Sequence, residues 1–196
     1  MAFFTRSPNL KVYSDYRKYR PQLASDFNHL CAYCEMSETY LRTQSAFGVD
    51  HFRPFALFPE LDCVYTNLYY CCNDCNRCKG RKWPSAEDLA SGEGFTDPCL
   101  EDPYIAHLQT LPDGSLEARS PSGAFTIRTV RLNREACRQF RMLRTATKVR
   151  LDRLRGILVE SNLSAEVRET IEQSVTTLSA EWYETYNQRG PSKSNP

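Results

Sequence analysis

With 196 residues, 41% of them hydrophobic, the chain can bury a substantial core and suits one elaborated domain or two small ones. It has no apolar run of eighteen residues to cross a membrane, and Arg6 after Phe3 and Phe4 breaks any signal-peptide core, so a cytosolic protein without a membrane partner is expected. The formal charge of +1 hides a split: residues 128–155 carry ten Lys/Arg against two acids, and residues 83–127 carry eight acids against one base. Such a basic block suits either an anionic partner met by one surface or a solvated helix face. Nine cysteines form an odd count in CxxC spacings, which favours metal ligation over disulfides in a chain without an export signal.

In the first thirty residues, Ser14-Asp15-Tyr16-Arg17 can cap a helix in which Tyr16, Tyr19, Leu23, Phe27 and Leu30 recur at helical spacing. Pro21 interrupts it, so two short helices or one kinked helix should deliver the chain to Cys31. His29 reads as a helix-end or packed histidine before it reads as a ligand. From Gly48 to Phe52 a short strand is expected, ending before Pro54. Tyr65 to Cys72 should form a second strand, and Asp74 to Lys82 a helix stopped by Pro84.

The next segment is loop-dominated, with turns at Asp97-Pro98, Asp102-Pro103 and Pro112-Asp113-Gly114. Short strands are expected at residues 105–110 and 115–119 around the Asp113-Gly114 turn, with another at Phe125-Thr126-Ile127. His107 has no matching ligand nearby and is read as structural. Farther on, Ala136, Phe140, Leu143, Thr147, Leu151, Leu154 and Leu158 follow one helical stripe, with Arg134, Arg138, Arg141, Lys148 and Arg155 on an adjacent arc. Ser164 starts a second helix with Val167, Ile171, Val175, Leu178 and Trp182 on one face, and the two helices should pair antiparallel. The fold class expected is α+β, divided as residues 1–82, 83–127, 128–188 and a tail at 189–196.

The chemistry concentrates in residues 31–79. Cys31 and Cys34, with Cys72 and Cys75, are two CxxC knuckles that can hold one structural Zn²⁺, because the turn in each points both sulfurs at the same ion. Cys75 and Cys78 form a competing CxxC, and Cys71 adds to the register problem. A redox CxxC is disfavoured by four matched cysteines. With the thiols allotted, Asp50 and Asn76 are oxygen donors suited to a hard cation, Mg²⁺ or Mn²⁺, and His51 can take a proton from a water aimed at phosphorus.

Val49-Asp50-His51-Phe52-Arg53-Pro54, then Asn67-Leu68, then Cys72-Asn73-Asp74-Cys75-Asn76-Arg77-Cys78-Lys79-Gly80 resemble the HNH, or ββα-metal, endonucleases over residues 31–82. The resemblance implies His51 as general base, Asp50 and Asn76 on the catalytic metal, Asn67 orienting the hairpin, and Lys79 on a phosphate. Asn76 stands where many members have His, which bears on metal preference. Phe95-Thr96-Asp97-Pro98, Gly114 and the run from Thr126 to Arg134 look like the downstream pattern of HNH subunits of Septu-type and retron-associated anti-phage systems, which implies an ATPase partner. The expected activity is metal-dependent cleavage of DNA, or of RNA by the same chemistry, with Arg134, Arg138 and Arg141 guiding the phosphates. The other readings are a non-catalytic zinc-ribbon module that binds nucleic acid or protein, and an interaction subunit docking through its C-terminal helices.

Overall fold

The computed structural model describes residues 2–8, 10–159 and 162–183, so the expected tail at 189–196 lies outside the described residues. Asp15 caps a 3-10 turn at Tyr16–Tyr19 by accepting from Arg17 N, and α1 (Arg20–Asp26) follows with Pro21 in its first turn, where no amide donor is needed. Proline therefore marks the start of α1. Leu23 and Phe27 are fully buried, and Arg6 ties the N-terminal segment to them by donating to Tyr65 O and Leu68 O, with its guanidinium 4.6 Å from the Tyr69 ring centre. After the first knuckle, Ser37 caps the single turn α2 (Glu38–Leu41).

Strands β1 (Phe47–His51) and β2 (Leu68–Cys72) pair antiparallel, with Asp50 opposite Tyr69 and His51 opposite Leu68. β2 is buried at every position because α1 packs on it and α3 (Asn73–Lys79) lies against both strands. α3 begins at once from Cys72, whose sulfur accepts from Cys75 N at 3.5 Å, and ends at Gly80 rather than continuing to Lys82.

The acidic segment holds α4 (Ala86–Ala90), with a Ser85–Asp88 capping box, and α5 (Pro103–Ala106). The expected hairpin is present but shorter: β3 (Leu108–Thr110) and β4 (Leu116–Ala118) pair antiparallel. The expected strand at Phe125-Thr126-Ile127 is instead the middle of helix α6 (Pro121–Val130). Ser120 caps it by accepting from Gly123 N, Pro121 occupies its first turn, and Phe125, Thr126, Thr129 and Val130 turn inward. Gly123 lets α6 approach the loop, since a Cβ there would sit 2.3 Å from His107 O.

Helix α7 (Glu135–Leu158) spans about 36 Å at 1.5 Å per residue, and α8 (Ala165–Glu181), capped by Ser164, packs beside it. The buried stripe of α7 differs from the expected one. Cys137, Phe140, Arg141 and Leu151 are inside, whereas Ala136 is exposed and Leu143 is 49% exposed. The first half of α7 seals the hairpin lobe and the β3–β4 turn, so the inward face is set by those neighbours as well as by apolarity. On α8 only Leu178 of the expected face is buried, and Val167 is 46% exposed. Residues from Phe4 through the β1–β2 hairpin to Phe140 form one hydrophobic cluster. Among the described residues, no helix is long and apolar enough to cross a membrane.

Candidate metal centre and candidate active site

The first knuckle is a tight turn in which Glu35 N donates to Cys31 O and Cys31 N to Met36 O, and Ala32 N reaches across to Tyr70 O on β2. That last bond brings Cys31 and Cys34 to the end of β2, where Cys72 and the first turn of α3 present the second pair. All four ligand sulfurs lie within 4.8 Å of one another and all four residues are buried. Sulfurs bound at about 2.3 Å to one tetrahedral ion stand about 3.8 Å apart, and Cys34 Sγ and Cys72 Sγ are 3.8 Å apart. The cluster is therefore positioned to bind a metal ion, and its register is Cys72 with Cys75, Cys71 and Cys78 standing outside it. Cys71 turns to the other face of β2, where burial and the Asp50 charge push its thiol well up.

Hydrogen bonds from Cys137 and the other cluster cysteines hold Cys34 well below the usual range, and burial pushes Cys31 well above it. A metal ion would bind all four as thiolates. The start of α7 adds to the cluster, because Arg134 Nη2 donates to Cys75 Sγ at 3.3 Å and to Cys72 Sγ at 3.9 Å.

On β1, alternation sends Asp50 and His51 to opposite faces. Asp50 is 4% exposed; Tyr33 Oη donates to its Oδ2 at 2.6 Å, and Lys79 Nζ to its Oδ1 at 3.1 Å. Lys79 is 0% exposed and also donates to His51 O at 2.6 Å. The expected phosphate contact at Lys79 is thus replaced by a buried ion pair, because the last turn of α3 points its side chain into the hairpin. Burial pushes the Asp50 carboxyl up, against the pull of Lys79 and Tyr33. Asn76 donates from Nδ2 to Val49 O at 3.4 Å. Oxygen donors of the type a hard cation takes are present in Asp50 and Asn76, but both Asp50 oxygens are engaged and the adjoining cation position is filled by the Lys79 ammonium. An Mg²⁺ or Mn²⁺ ion held by this pair would have to displace the Lys79 ammonium from Asp50.

His51 sits at the end of β1, partly exposed, with the Tyr16 ring edge-on at 4.6 Å between centroids. Its Nε2 lies 2.9 Å from Asp62 O and 3.0 Å from Asp62 Oδ1. Two acceptors facing one nitrogen require the proton to be on Nε2, which leaves the Nδ1 lone pair as the basic atom. Asn67 closes the loop that leads away from His51: its Oδ1 accepts from Arg53 N at 2.9 Å and its Nδ2 donates to Arg53 O at 3.1 Å. That amide–amide pairing pins the segment after His51 to the segment before β2.

Of the expected basic edge, Arg134, Arg138 and Arg141 turn to partners within the fold, whereas Arg155 is exposed. Arg134 faces the sulfurs, and Arg138 donates to Asp113 O and to Asp113 Oδ2 at 2.9 Å. Arg141 is 1% exposed and donates to Gly114 O at 2.6 Å and Leu132 O at 2.7 Å. These arginines hold the β3–β4 turn against α7, and Gly114 is needed there because a Cβ would stand 2.3 Å from Arg138 O. The downstream motif residues are likewise joined internally. Thr96 N donates to Thr126 Oγ1, Tyr69 Oη to Asp97 Oδ1, and Leu116 N to Asn133 Oδ1. His107 links Ser120 to Glu101 and stays away from the cysteine cluster.

Sequence reasoning missed Asp62, Tyr33 and Cys137 as partners of His51, Asp50 and Cys34. None had a spacing signal, since each contact crosses between separate segments. No protein-family model, curated protein or solved structure matches the chain.

Proposed function

We propose that the chain is a nucleic-acid phosphodiesterase of the HNH, or ββα-metal, kind, with zinc on Cys31, Cys34, Cys72 and Cys75 as the structural ion and DNA as substrate. The observation that carries the reading is His51, on a strand–strand–helix frame, with Nε2 bonded to Asp62 and Nδ1 left as a base. In the reaction, Nδ1 takes a proton from water as the water oxygen bonds to phosphorus and the phosphorus–oxygen bond to the leaving nucleotide breaks. The leaving oxygen takes up a proton from solvent. Asp62 steadies the imidazolium that forms, and Asn67 keeps the loop carrying Arg53 in place so that the ring holds its orientation. Mg²⁺ or Mn²⁺ belongs to the reading as the ion that would replace the Lys79 ammonium at Asp50, with Asn76 as second donor, supplying charge to the phosphate when bound. Anti-phage action with an ATPase partner follows from the downstream resemblance alone. The exposed Met142, Leu143 and Val149 on α7 are where a partner could be met.

Purified protein incubated with DNA or RNA and Mg²⁺ or Mn²⁺, alone and with any ATPase encoded by a neighbouring gene, tests this. His51→Ala should lower cleavage by about 100-fold or more, and cleavage that survives the substitution overturns the role given to His51. A second reading, a non-catalytic zinc module that binds nucleic acid or protein, is favoured by the closed Asp50–Lys79 pair. It predicts binding with no cutting under either metal.

A further inference from the structure

We propose that Arg134 is part of the metal centre, a positioning residue whose guanidinium hydrogen-bonds the sulfurs of the second knuckle and makes metal retention depend on the seating of α7. The inference rests on the zinc reading of the four cysteines. Arg134 is the residue immediately before α7 and is half-buried. Its Nη2 lies 3.3 Å from Cys75 Sγ and 3.9 Å from Cys72 Sγ, its Nη1 donates to Arg131 O at 3.4 Å, and its Nε has no hydrogen-bond partner. A guanidinium drawn this far from water gains little beside neutral thiols. Beside a zinc ion with four thiolates, whose charges sum to about −2, it meets the negative charge that the buried cluster otherwise leaves uncompensated.

The first turn of α7 also faces the cluster with Cys137, which is fully buried in the same hydrophobic cluster as Cys31 and Cys34. The helix start therefore reaches the second CxxC pair from a segment about 60 residues downstream of it. An N–H donor on a metal-bound sulfur lowers the energy of its lone pairs and fixes their direction. Losing such a partner typically weakens metal binding by about 10- to 100-fold.

The experiment uses the full chain loaded with zinc, and separately with cobalt(II). Arg134→Met should transfer zinc to a chelator about 10-fold faster or more, and its thiolate-to-cobalt charge-transfer band should move to lower energy. Arg134→Lys, which keeps a charged donor, should restore most of both. Arg150→Met, farther along the same helix and exposed, should leave both at wild-type values. Wild-type zinc release and an unmoved cobalt band in folded Arg134→Met overturn the proposal. If that variant does not fold, Arg134→Gln, with a shorter neutral donor, is expected to release zinc faster than wild type, and wild-type release from it overturns the proposal equally. A wild-type chain that takes up neither metal overturns the zinc reading instead.

Discussion

Two polar clusters flank the same hairpin, the four thiols at one end of β2 and the Asp50–Lys79–Tyr33 group on the face of β1. Both are buried, and both are built partly from α3. They differ in what completes them. Among the described residues the thiols converge with no cation bridging all four sulfurs, and their spacing matches a single ion. The carboxylate is already satisfied by an ammonium and a phenol from its own fold. A buried cluster that needs an external ion to close should couple folding to that ion, whereas one closed by internal partners should couple folding to its partners.

The largest effect that separates them is expected at the thiols. Cys34→Ser should abolish stoichiometric zinc and unfold the hairpin lobe, since structural zinc contributes on the order of 10 kcal/mol of folding free energy in small metal lobes. Zinc analysis with a thermal melt checks it, and a variant that keeps one zinc per chain and an unchanged melt breaks the comparison from this side. Next comes the ion pair. Lys79→Met leaves Asp50 buried without its counter-charge and should cost about 3–5 kcal/mol in urea unfolding, while the double variant with Asp50→Asn should recover much of the loss. A single-variant cost below about 1 kcal/mol would mean that Asp50 reaches water or another cation.

The smallest expected effect involves a carboxylate outside both clusters. Burial tends to raise the Asp26 carboxyl, but hydrogen bonds from Tyr65, Ser7 and Gln22 outweigh it and hold the group below its usual 3.8. A depressed folded value means that the stabilisation is present above the unfolded value and is lost as pH falls through the folded one. Urea midpoints measured from pH 5 down to about pH 2 should therefore fall less steeply in Asp26→Asn than in the wild type. Identical slopes would remove Asp26 from the acid response.

Elements with local signals were legible in the sequence. The β1–β2–α3 order, the β3–β4 turn at Gly114, the Ser164 cap and the pairing of α7 with α8 followed from spacing, turn residues and caps within a few positions. Helix α6 was misread because Phe125-Thr126-Ile127 has strand-like propensity, and the Ser120-Pro121 start that overrides it lies five residues earlier. The inward face of α7 was misplaced because Arg141 is held inside by carbonyls of Gly114 and Leu132, groups that no periodicity within the helix can indicate.

By itself the sequence determined that two CxxC turns could share an ion, since a CxxC turn carries its own geometry, while the choice of Cys72 with Cys75 over Cys75 with Cys78 came from the structure. It also placed His51 near the end of the first strand, but the second strand expected from Tyr65 begins only at Leu68, with Asn67 closing a 3-10 turn at Tyr65–Asn67 before it. Only the tertiary structure decided what each charge does. Lys79 is turned inward to Asp50, Arg134 to the sulfurs, and Arg138 and Arg141 to the β3–β4 turn, because a side chain's partner is set by whichever segments pack beside it, often across many residues of chain. Backbone geometry is encoded locally, but a charge is assigned its role by its neighbours in space.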